Sequence, residues 1–286
     1  MKRGKLLVLP AMGWLGIFFA LPLLIVVAVS FASRTPYGQV IFNWTTANYL
    51  RFLEPLYIKI FISTIVTAII TTALTFLLGY PVAYTIAMIL PKKWQQAGII
   101  LVMIPFWINF LIRSFSWVII LRSQGVVNTF LLHLGIIDKP LTLLYNDYAV
   151  TLGMVYALLP FMVLPIYVSL EQMDKRLLEA ASDLGAPPFT AFRKVTLPIT
   201  MPGVAAGSIL VFISSLGMFV VPDIMGGAKS ALIGNIIQNQ FLAARDWPFG
   251  SALSIILAVL ALIMIYLYYK ALQSQKGGRP HEENLA

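Results

Sequence analysis

The sequence predicts an all-α integral membrane protein with six membrane-spanning helices and both chain termini on the cytoplasmic side. The 286 residues are 59% hydrophobic and only 11% charged, with a mean hydropathy of +0.87, values outside the range of soluble domains. Long runs with few or no charges recur along the chain, each sufficient to cross about 30 Å of hydrocarbon as a helix. The predicted spans are residues 6–33, 60–90, 97–121, 148–170, 203–221 and 249–269.

The positions of the basic residues support this topology. The net charge is +9, and twelve of the 20 lysines and arginines fall in segments that share one side of the membrane, which indicates the cytoplasmic side. The tail, residues 271–286, is polar and is predicted to be disordered there. The twelve residues are Lys2, Arg3, Lys5, Lys92, Lys93, Lys175, Arg176, Arg193, Lys194, Lys270, Lys276 and Arg279.

The first span follows a basic start and is about twice as long as the apolar region of a signal peptide. Cleavage at Ala28-Val29-Ser30 is the alternative to a retained helix. The second span carries hydroxyl side chains four residues apart. Such hydroxyls can line a water-filled path or can donate hydrogen bonds to carbonyls of their own or a neighbouring helix. They are Ser63, Thr67, Thr71 and Thr75.

Prolines and one charge distinguish the middle spans. Pro105 is predicted to kink the third span, and Pro160 and Pro165 to interrupt the fourth. Arg113 lies about 24 Å from the inner start of the third span, where its side chain can snorkel outward. It is interpreted either as an anchor or partner of a neighbouring subunit, or as a gate or path residue. The fifth span opens with small residues from Gly203 onward that permit close helix approach.

Several classes of chemistry have no basis in the sequence. The chain contains no cysteine, and its two histidines, His133 and His281, are far apart, so no metal or cysteine- or histidine-based catalytic site is predicted. No Asp or Glu lies inside a predicted span, which argues against an ion-coupled carrier and against a membrane-embedded enzyme. The Gly226–Ser230 stretch lacks the Gly directly before Lys that a phosphate-binding loop requires.

Residues 171–202 form a charged segment between two long apolar runs, and they predict two short helices around a turn. Leu177, Ala181 and Leu184 form an apolar stripe at helical spacing. Gly185 followed by Ala186-Pro187-Pro188 ends that helix. A second short helix is expected from Phe189 to Val195. An ordinary amphipathic connector on the membrane surface is the alternative.

The spacing in this segment resembles the EAA loop of ABC importer permeases, with Val195 where that pattern has Ile. The resemblance implies a six-helix type I permease whose cytoplasmic loop couples to an ATPase, so the energy for transport comes from that partner. ATP and Mg²⁺ would be bound by the ATPase, and this chain would bind no cofactor and no metal. The implied coupling residues are Glu179, Ala180, Ala181, Gly185, Leu197 and Pro198.

Longer segments resemble the PotB-type permeases of spermidine/putrescine ABC importers. They include Pro105–Arg113, Leu159–Ala186 and Gly217–Gly250. The resemblance implies a multi-pass inner-membrane permease that pairs with a PotC-type permease, a PotA-type ATPase dimer and a periplasmic PotD-type polyamine-binding protein. No nucleic acid partner is expected, since the basic excess is explained by cytoplasmic loops.

A polyamine would favour carboxylates and aromatic faces along its path. Outer carboxylates do not outnumber outer basic residues, so the sequence shows no acidic funnel. The predicted function is ATP-driven polyamine import by alternating access. The alternatives are the same type of importer with another small solute, such as iron or sulfate, and an ion-coupled secondary carrier. The candidate path residues are Asp223, Trp107, Phe110, Tyr156, Phe219 and Arg113.

Overall fold

The structure is a computed structural model that describes residues 10, 12–227 and 230–276, and helices dominate it. A two-stranded antiparallel hairpin, β1 (Ser33–Arg34) and β2 (Val40–Ile41), is an addition that the all-α prediction lacked. The helices are α1 (Met12–Ser30), α2 (Ala47–Phe52), α3 (Pro55–Ile89), α4 (Lys92–Trp107), α5 (Phe110–Leu121), α6 (Val126–His133), α7 (Asp147–Glu171), α8 (Arg176–Asp183), α9 (Pro188–Leu216), α10 (Ile233–Leu242) and α11 (Trp247–Lys276).

Six helical stretches in the described part of the chain are long and apolar enough to cross a membrane. The six predicted spans therefore have counterparts in the fold, although their bounds differ. Helix α11 continues to Lys276, so the first residues of the predicted tail are helical, and residues 277–286 lie outside the described residues. The six stretches are Met12–Ser30, Pro55–Ile89, Phe110–His133, Asp147–Glu171, Pro188–Leu216 and Trp247–Lys270.

The region predicted as a single third span, residues 97–121, is two helices. Pro105 is accommodated inside α4, which ends two residues later at Trp107. Ile108 and Asn109 have extended backbone conformations, and the Asn109 side chain accepts a hydrogen bond from the Leu111 N–H at 2.9 Å. The break therefore lies at Ile108 and Asn109, where an asparagine N-cap starts a new helix, and not at Pro105 itself.

Two other proline-containing segments are continuous helices. Helix α7 runs unbroken through Pro160 and Pro165, contrary to the predicted interruption. The short helix expected at residues 189–195 is not separate, because it continues through a π-helical turn, Phe192–Thr196, into the membrane stretch of α9. In that turn the Leu197 N–H bonds to the Phe192 carbonyl, five residues back, so the chain passes Pro198 without a break.

The chain divides into two compact units. One contains Ser63–Ala231 and the described residues from Leu262 onward, and its core combines α3, α7 and α9. Helices α7 and α9 approach closely at two glycines, because a Cβ on Gly203 would lie 2.5 Å from the Pro165 carbonyl and one on Gly207 would lie 2.9 Å from the Met162 sulfur. The predicted role of small residues at the start of the fifth span is thus confirmed.

The other unit contains the described residues up to Ile62, together with Leu232–Ala261. Asp246 is buried in it and accepts a 2.8 Å hydrogen bond from Arg51. The Arg51 guanidinium also donates to the Tyr57 hydroxyl at 3.2 Å and lies 4.1 Å from the centre of the Phe249 ring. Burial alone would lower the pKa of Arg51, but the hydrogen bonds to Asp246 and Tyr57 raise it above its ordinary value.

Candidate functional site

Helix α8 is an exposed, two-turn helix with a capped end at each terminus. At its start, the Asp174 carboxylate accepts a 3.0 Å hydrogen bond from the Arg176 N–H. At its end, Gly185 has a φ of +77°, its N–H bonds to the Ser182 carbonyl, and the Ala186 N–H bonds to the Ala181 carbonyl. This pair of bonds is a Schellman motif, which requires the left-handed conformation that glycine adopts without strain. The turn predicted from Gly185 is therefore confirmed.

The first turns of α9 pack against α8 and are anchored to the core of the larger unit. The Phe192 ring makes edge-to-face contacts with Tyr80 and Tyr84 of α3, with centroids 5.5 and 5.9 Å apart. Two large apolar side chains of this region are exposed at the surface of the chain. Leu184 is 88% exposed and Phe189 is 72% exposed. Exposed apolar side chains beside charges can form a surface that meets another protein.

The implied coupling residues fall into two places along this segment. Glu179, Ala180 and Gly185 are exposed on α8 and its cap, and Ala181 is half-buried. Leu197 and Pro198 lie in α9, directly after the π-helical turn. The segment Arg176–Pro198 is called the coupling segment below.

Three of the candidate path residues lie together. Arg113 is 7% exposed, and its guanidinium donates a 2.9 Å hydrogen bond to the Pro105 carbonyl. It lies 5.2 Å from the Phe110 ring centre and 5.7 Å from that of Tyr156. The side chain is thus folded against its own chain, and the expected outward snorkelling of Arg113 is wrong. Arg113 is poorly exposed because its guanidinium is held between the Pro105 carbonyl, near the end of α4, and the faces of the Phe110 and Tyr156 rings.

The remaining candidates are Phe219, Asp223 and Trp107. Phe219 and Asp223 are one helical turn apart, and the Asp223 N–H bonds to the Phe219 carbonyl at 3.0 Å. Asp223 is exposed and belongs to a π-helical turn, Pro222–Gly226. Trp107 ends α4 with 73% of its surface exposed. The turn that holds Asp223 packs against α5 and α7, the helices that carry Arg113, Phe110 and Tyr156.

A groove of about 670 Å³ lies between α3 and α7 in the larger unit. It shows which part of the hydroxyl stripe is open: Ser63 and Thr67 line the groove, whereas Thr71 and Thr75 are fully buried. The Thr75 hydroxyl donates to the Thr71 carbonyl, which fits the packing interpretation for that half of the stripe. The groove is lined by Ser63, Val66, Thr67, Ile70, Leu74, Leu77, Leu78, Asp147, Tyr148, Thr151, Leu152 and Val155.

Asp147 lines this groove and also a smaller cavity of about 320 Å³ on its other side. Asp147 is not among the predicted path residues; it directly follows Asn146, the N-cap of α7. The Ser230 hydroxyl donates a 2.5 Å hydrogen bond to Asp147 Oδ1. The smaller cavity is lined by Thr142, Leu144, Tyr145, Asn146, Asp147 and Ser230.

Within the described residues, no three or more histidine or acidic side chains are placed to hold a metal ion together.

Comparison with known proteins places the chain among bacterial transport permeases. It is 44% identical to the spermidine/putrescine transport system permease protein PotB of Escherichia coli strain K12 over 265 residues, which cover 93% of this chain and 96% of that protein. It is also 44% identical to PotB of Haemophilus influenzae, with 94% of each chain covered. The PotC permease protein of E. coli is 41% identical over 107 residues, 37% of this chain and 40% of that protein. No protein-family model matches the chain.

Solved structures support the same fold. A bacterial alginate ABC transporter in complex with an alginate-bound periplasmic protein superposes with a TM-score of 0.70 at 19% identity, covering 93% of both chains. The MetNI methionine ABC transporter, in an inward-facing conformation, gives a TM-score of 0.57 at 17% identity over 78% of this chain and 99% of that one. The fold is that of an ABC transporter permease, and with its close sequence relatives this chain belongs to the PotB family of spermidine/putrescine transport permeases, multi-pass proteins of the bacterial inner membrane.

Proposed function

We propose that this chain is the transmembrane permease subunit of an ATP-driven ABC importer that moves polyamines such as spermidine and putrescine inward by alternating access. The observation that carries the proposal is 44% identity to PotB proteins over nearly the full length of both chains. The exposed helix α8 of the coupling segment supports it, because an importer driven by a separate ATPase needs a surface on which that ATPase can act.

The proposed assembly contains this chain, a second permease of the PotC kind, two copies of a PotA-like ATPase and a periplasmic PotD-like binding protein. The similarity of part of this chain to PotC supports a pairing of two related permeases. ATP and Mg²⁺ bind to the ATPase, and the permease performs no catalysis. The coupling segment then faces the cytoplasm, and so do both chain termini.

The coupling segment acts as a lever in this proposal. Closure of the ATPase on ATP displaces Glu179, Gly185 and their neighbours on α8. Because α9 is continuous through its π-helical turn, a movement of its first turns is carried into the membrane stretch that packs on α7 at Gly203. Each nucleotide state therefore favours one arrangement of the bundle by binding it more tightly.

Six side chains are proposed for the path on this subunit, and Asp223 is the one with a carboxylate for an ammonium group. Replacing Asp223 with Asn removes that charge and is expected to slow uptake of a polycation. Asp138→Asn, another exposed outer aspartate, is the matched control and keeps normal uptake. An unchanged rate in Asp223→Asn would discard Asp223 as a path residue. The six are Asp223, Trp107, Phe110, Tyr156, Phe219 and Arg113.

The test of the function is uptake of radiolabelled spermidine by the complete complex in proteoliposomes. The expected result is uptake that requires ATP and the binding protein, and that excess putrescine suppresses while sulfate and ferric iron do not. Spermidine uptake without ATP would contradict the ABC mechanism. Uptake of sulfate or iron in place of spermidine would contradict the polyamine substrate and leave the importer class in place.

A further inference from the structure

Asp147 lines two cavities, and the larger of them, the groove between α3 and α7, combines an aliphatic wall with one carboxylate. We propose that Asp147 binds an ammonium group of the polyamine, and that the groove between α3 and α7 receives the adjoining hydrocarbon part. The inference rests on the proposed function and deepens it, since it assigns a substrate contact to Asp147, which is not among the predicted path residues.

The lining of the groove has both apolar and polar parts, as a polyamine has both methylene and ammonium groups. Most of its wall is aliphatic, from Val66 to Leu78 on α3 and from Leu152 to Val155 on α7. Its polar groups are one carboxylate, Asp147, and the hydroxyls of a few side chains. The α3 face from Ser63 to Leu78 is roughly 22 Å long at about 1.5 Å per residue, which accommodates an extended polyamine.

The charges around Asp147 favour a cation. Among the residues that the structure describes, which do not include Ala228 and Lys229, no lysine, arginine or histidine lines either of the two cavities. The Ser230 hydroxyl satisfies Oδ1, which leaves further acceptor sites on the carboxylate for a donor from outside the chain. Ionised carboxylates form short, strong hydrogen bonds with ammonium donors. Two tyrosines that adjoin Asp147 in the chain, Tyr145 and Tyr148, are 52% and 87% exposed and offer aromatic faces that attract ammonium groups.

The position of Tyr145 is imposed by the structure. Its φ of +61° is unfavourable for a residue with a bulky side chain. A 2.9 Å hydrogen bond from its N–H to the Met225 carbonyl holds this conformation. The Tyr145 ring also lies against Gly227, where a Cβ would be 3.0 Å from it. Strain that the surroundings maintain at the wall of a cavity is typical of binding sites.

The hydroxyls of the groove differ in their availability. Thr151 donates to the Asp147 carbonyl at 2.8 Å. The hydroxyls of Ser63 and Thr67, by contrast, take part in no hydrogen bond found between described residues. They can therefore accept hydrogen bonds from an ammonium group that passes along the groove. In the proposed orientation, α3 and α7 both run inward from the outer side, so Asp147 stands at the outer end of the groove.

Uptake kinetics of the complete complex test the carboxylate. In Asp147→Asn, the kcat/KM for spermidine is expected to fall about tenfold or more, because one charge-assisted contact is lost while the hydrogen bond with Ser230 can persist. Asp147→Glu is expected to retain most of the activity. Asp138→Asn serves as the matched control, because Asp138 is an exposed aspartate that lines neither cavity.

A thiol-labelling experiment tests the groove by a measurement other than transport. The chain has no cysteine, so Thr67→Cys introduces the single thiol of this subunit. In the complete complex, spermidine delivered by the binding protein is expected to slow labelling of Thr67→Cys several-fold. Ala73→Cys is the control, because Ala73 is exposed on the same helix outside the groove. Its labelling rate is expected to stay constant.

The outcomes separate this inference from the proposed function. If the wild-type complex takes up spermidine while Asp147→Asn keeps a wild-type kcat/KM, the site is overturned and the function stands. If Thr67→Cys is unreactive in the complex with or without spermidine, the groove is covered by the second permease or by lipid, and its assignment is overturned. If the wild-type complex takes up no polyamine, the proposed function itself fails.

Discussion

The guanidinium of Arg113 donates a 2.9 Å hydrogen bond to the carbonyl oxygen of Pro105, which belongs to the preceding helix. Pro105 lies in the last turn of α4, where carbonyl groups have no partner within their own helix. A cation is favoured at a helix C-terminus, and here it also lies beside the rings of Phe110 and Tyr156. Arg113 therefore joins α4 to α5 across the break at Ile108 and Asn109.

Replacing Arg113 with Met is expected to lower the free energy of unfolding by about 1–3 kcal/mol, because it leaves the carbonyl of the half-buried Pro105 without its charged donor. Arg113→Lys should recover part of the lost free energy of unfolding, since its ammonium group can still donate to the Pro105 carbonyl. The shift is measured as the melting temperature of the purified complex by intrinsic tryptophan fluorescence. Arg122→Met, at an exposed arginine, should leave the melting temperature unchanged. An equal loss in both variants would contradict the role assigned to Arg113.

Asp246 combines an ion pair with a helix cap, and two substitutions separate these roles. Its Oδ2 accepts from Arg51, and its Oδ1 accepts from the Phe249 N–H in the first turn of α11. Asp246→Asn keeps an N-cap but loses the charge, and is expected to cost about 1–2 kcal/mol. Asp246→Ala removes the cap as well and should cost about 1 kcal/mol more. Denaturant unfolding of the purified subunit measures both; identical values would refute this division.

Arg51 contributes to the stability of the folded chain, and the pH dependence of that contribution follows from the raised pKa of Arg51. A cation with a folded-state pKa above the unfolded value contributes stability that is fully present below the unfolded pKa. That contribution is lost only as the pH rises through the folded value. Since both values lie far in the alkaline range, the Arg51 guanidinium is expected to stay charged between about pH 6 and pH 9. The stability difference between wild type and Arg51→Met at a fixed low salt concentration, measured at pH 8 and pH 9, should be the same.

Glu179 and Gly185 test the coupling segment. Glu179→Lys, or Gly185→Trp, is expected to leave ATP hydrolysis measurable while transport per ATP falls several-fold. A Cβ on Gly185 would meet no atom of the described residues within 4 Å, so a large coupling defect beyond the backbone strain of about 1 kcal/mol would report contact with another subunit. Uptake and hydrolysis are measured together in proteoliposomes.

Each coupling variant has a control that makes a similar change to the backbone or to the surface charge of α8. Gly185→Ala introduces the same left-handed strain with a minimal side chain, so the difference between the Ala and Trp variants isolates the bulk. Asp183→Lys reverses another exposed charge on α8 and is expected to couple normally. Normal transport per ATP in both Glu179→Lys and Gly185→Trp would remove the coupling role from this segment.

Gly203 tests the close packing of α7 on α9. A Cβ there would lie 2.5 Å from the backbone carbonyl of Pro165 and would also collide with Ser169. Because backbone cannot move aside cheaply, Gly203→Ala is expected to destabilise the complex by about 1–3 kcal/mol. Gly217→Ala is the matched control, since a Cβ there would meet no atom within 4 Å in the described part of the chain and the φ of Gly217 is −89°. Equal melting temperatures for the two variants would contradict the packing argument.

Local signals predicted a large part of the fold. In lipid, a chain must form all of its backbone hydrogen bonds internally, which a helix does. An apolar run long enough to span the hydrocarbon therefore identifies a membrane helix. The end of α8 was predictable from Gly185 because its left-handed conformation depends on the residue type itself. The prolines were less informative. Pro105, Pro160 and Pro165 all lie inside helices, since packing against neighbours offsets the lost backbone bond.

The sequence by itself determined the class of protein, its apolar stretches and the turn of the coupling segment, because these depend on residues close together in the chain. Only the tertiary structure decided that Arg113 bonds to Pro105, that Asp246 meets Arg51 across 195 residues, and that Ser63 and Thr67 are open while Thr71 is buried. Those relationships depend on which faces of distant segments come together. Hydrophobic periodicity cannot specify that pairing when most faces of a membrane helix are equally apolar.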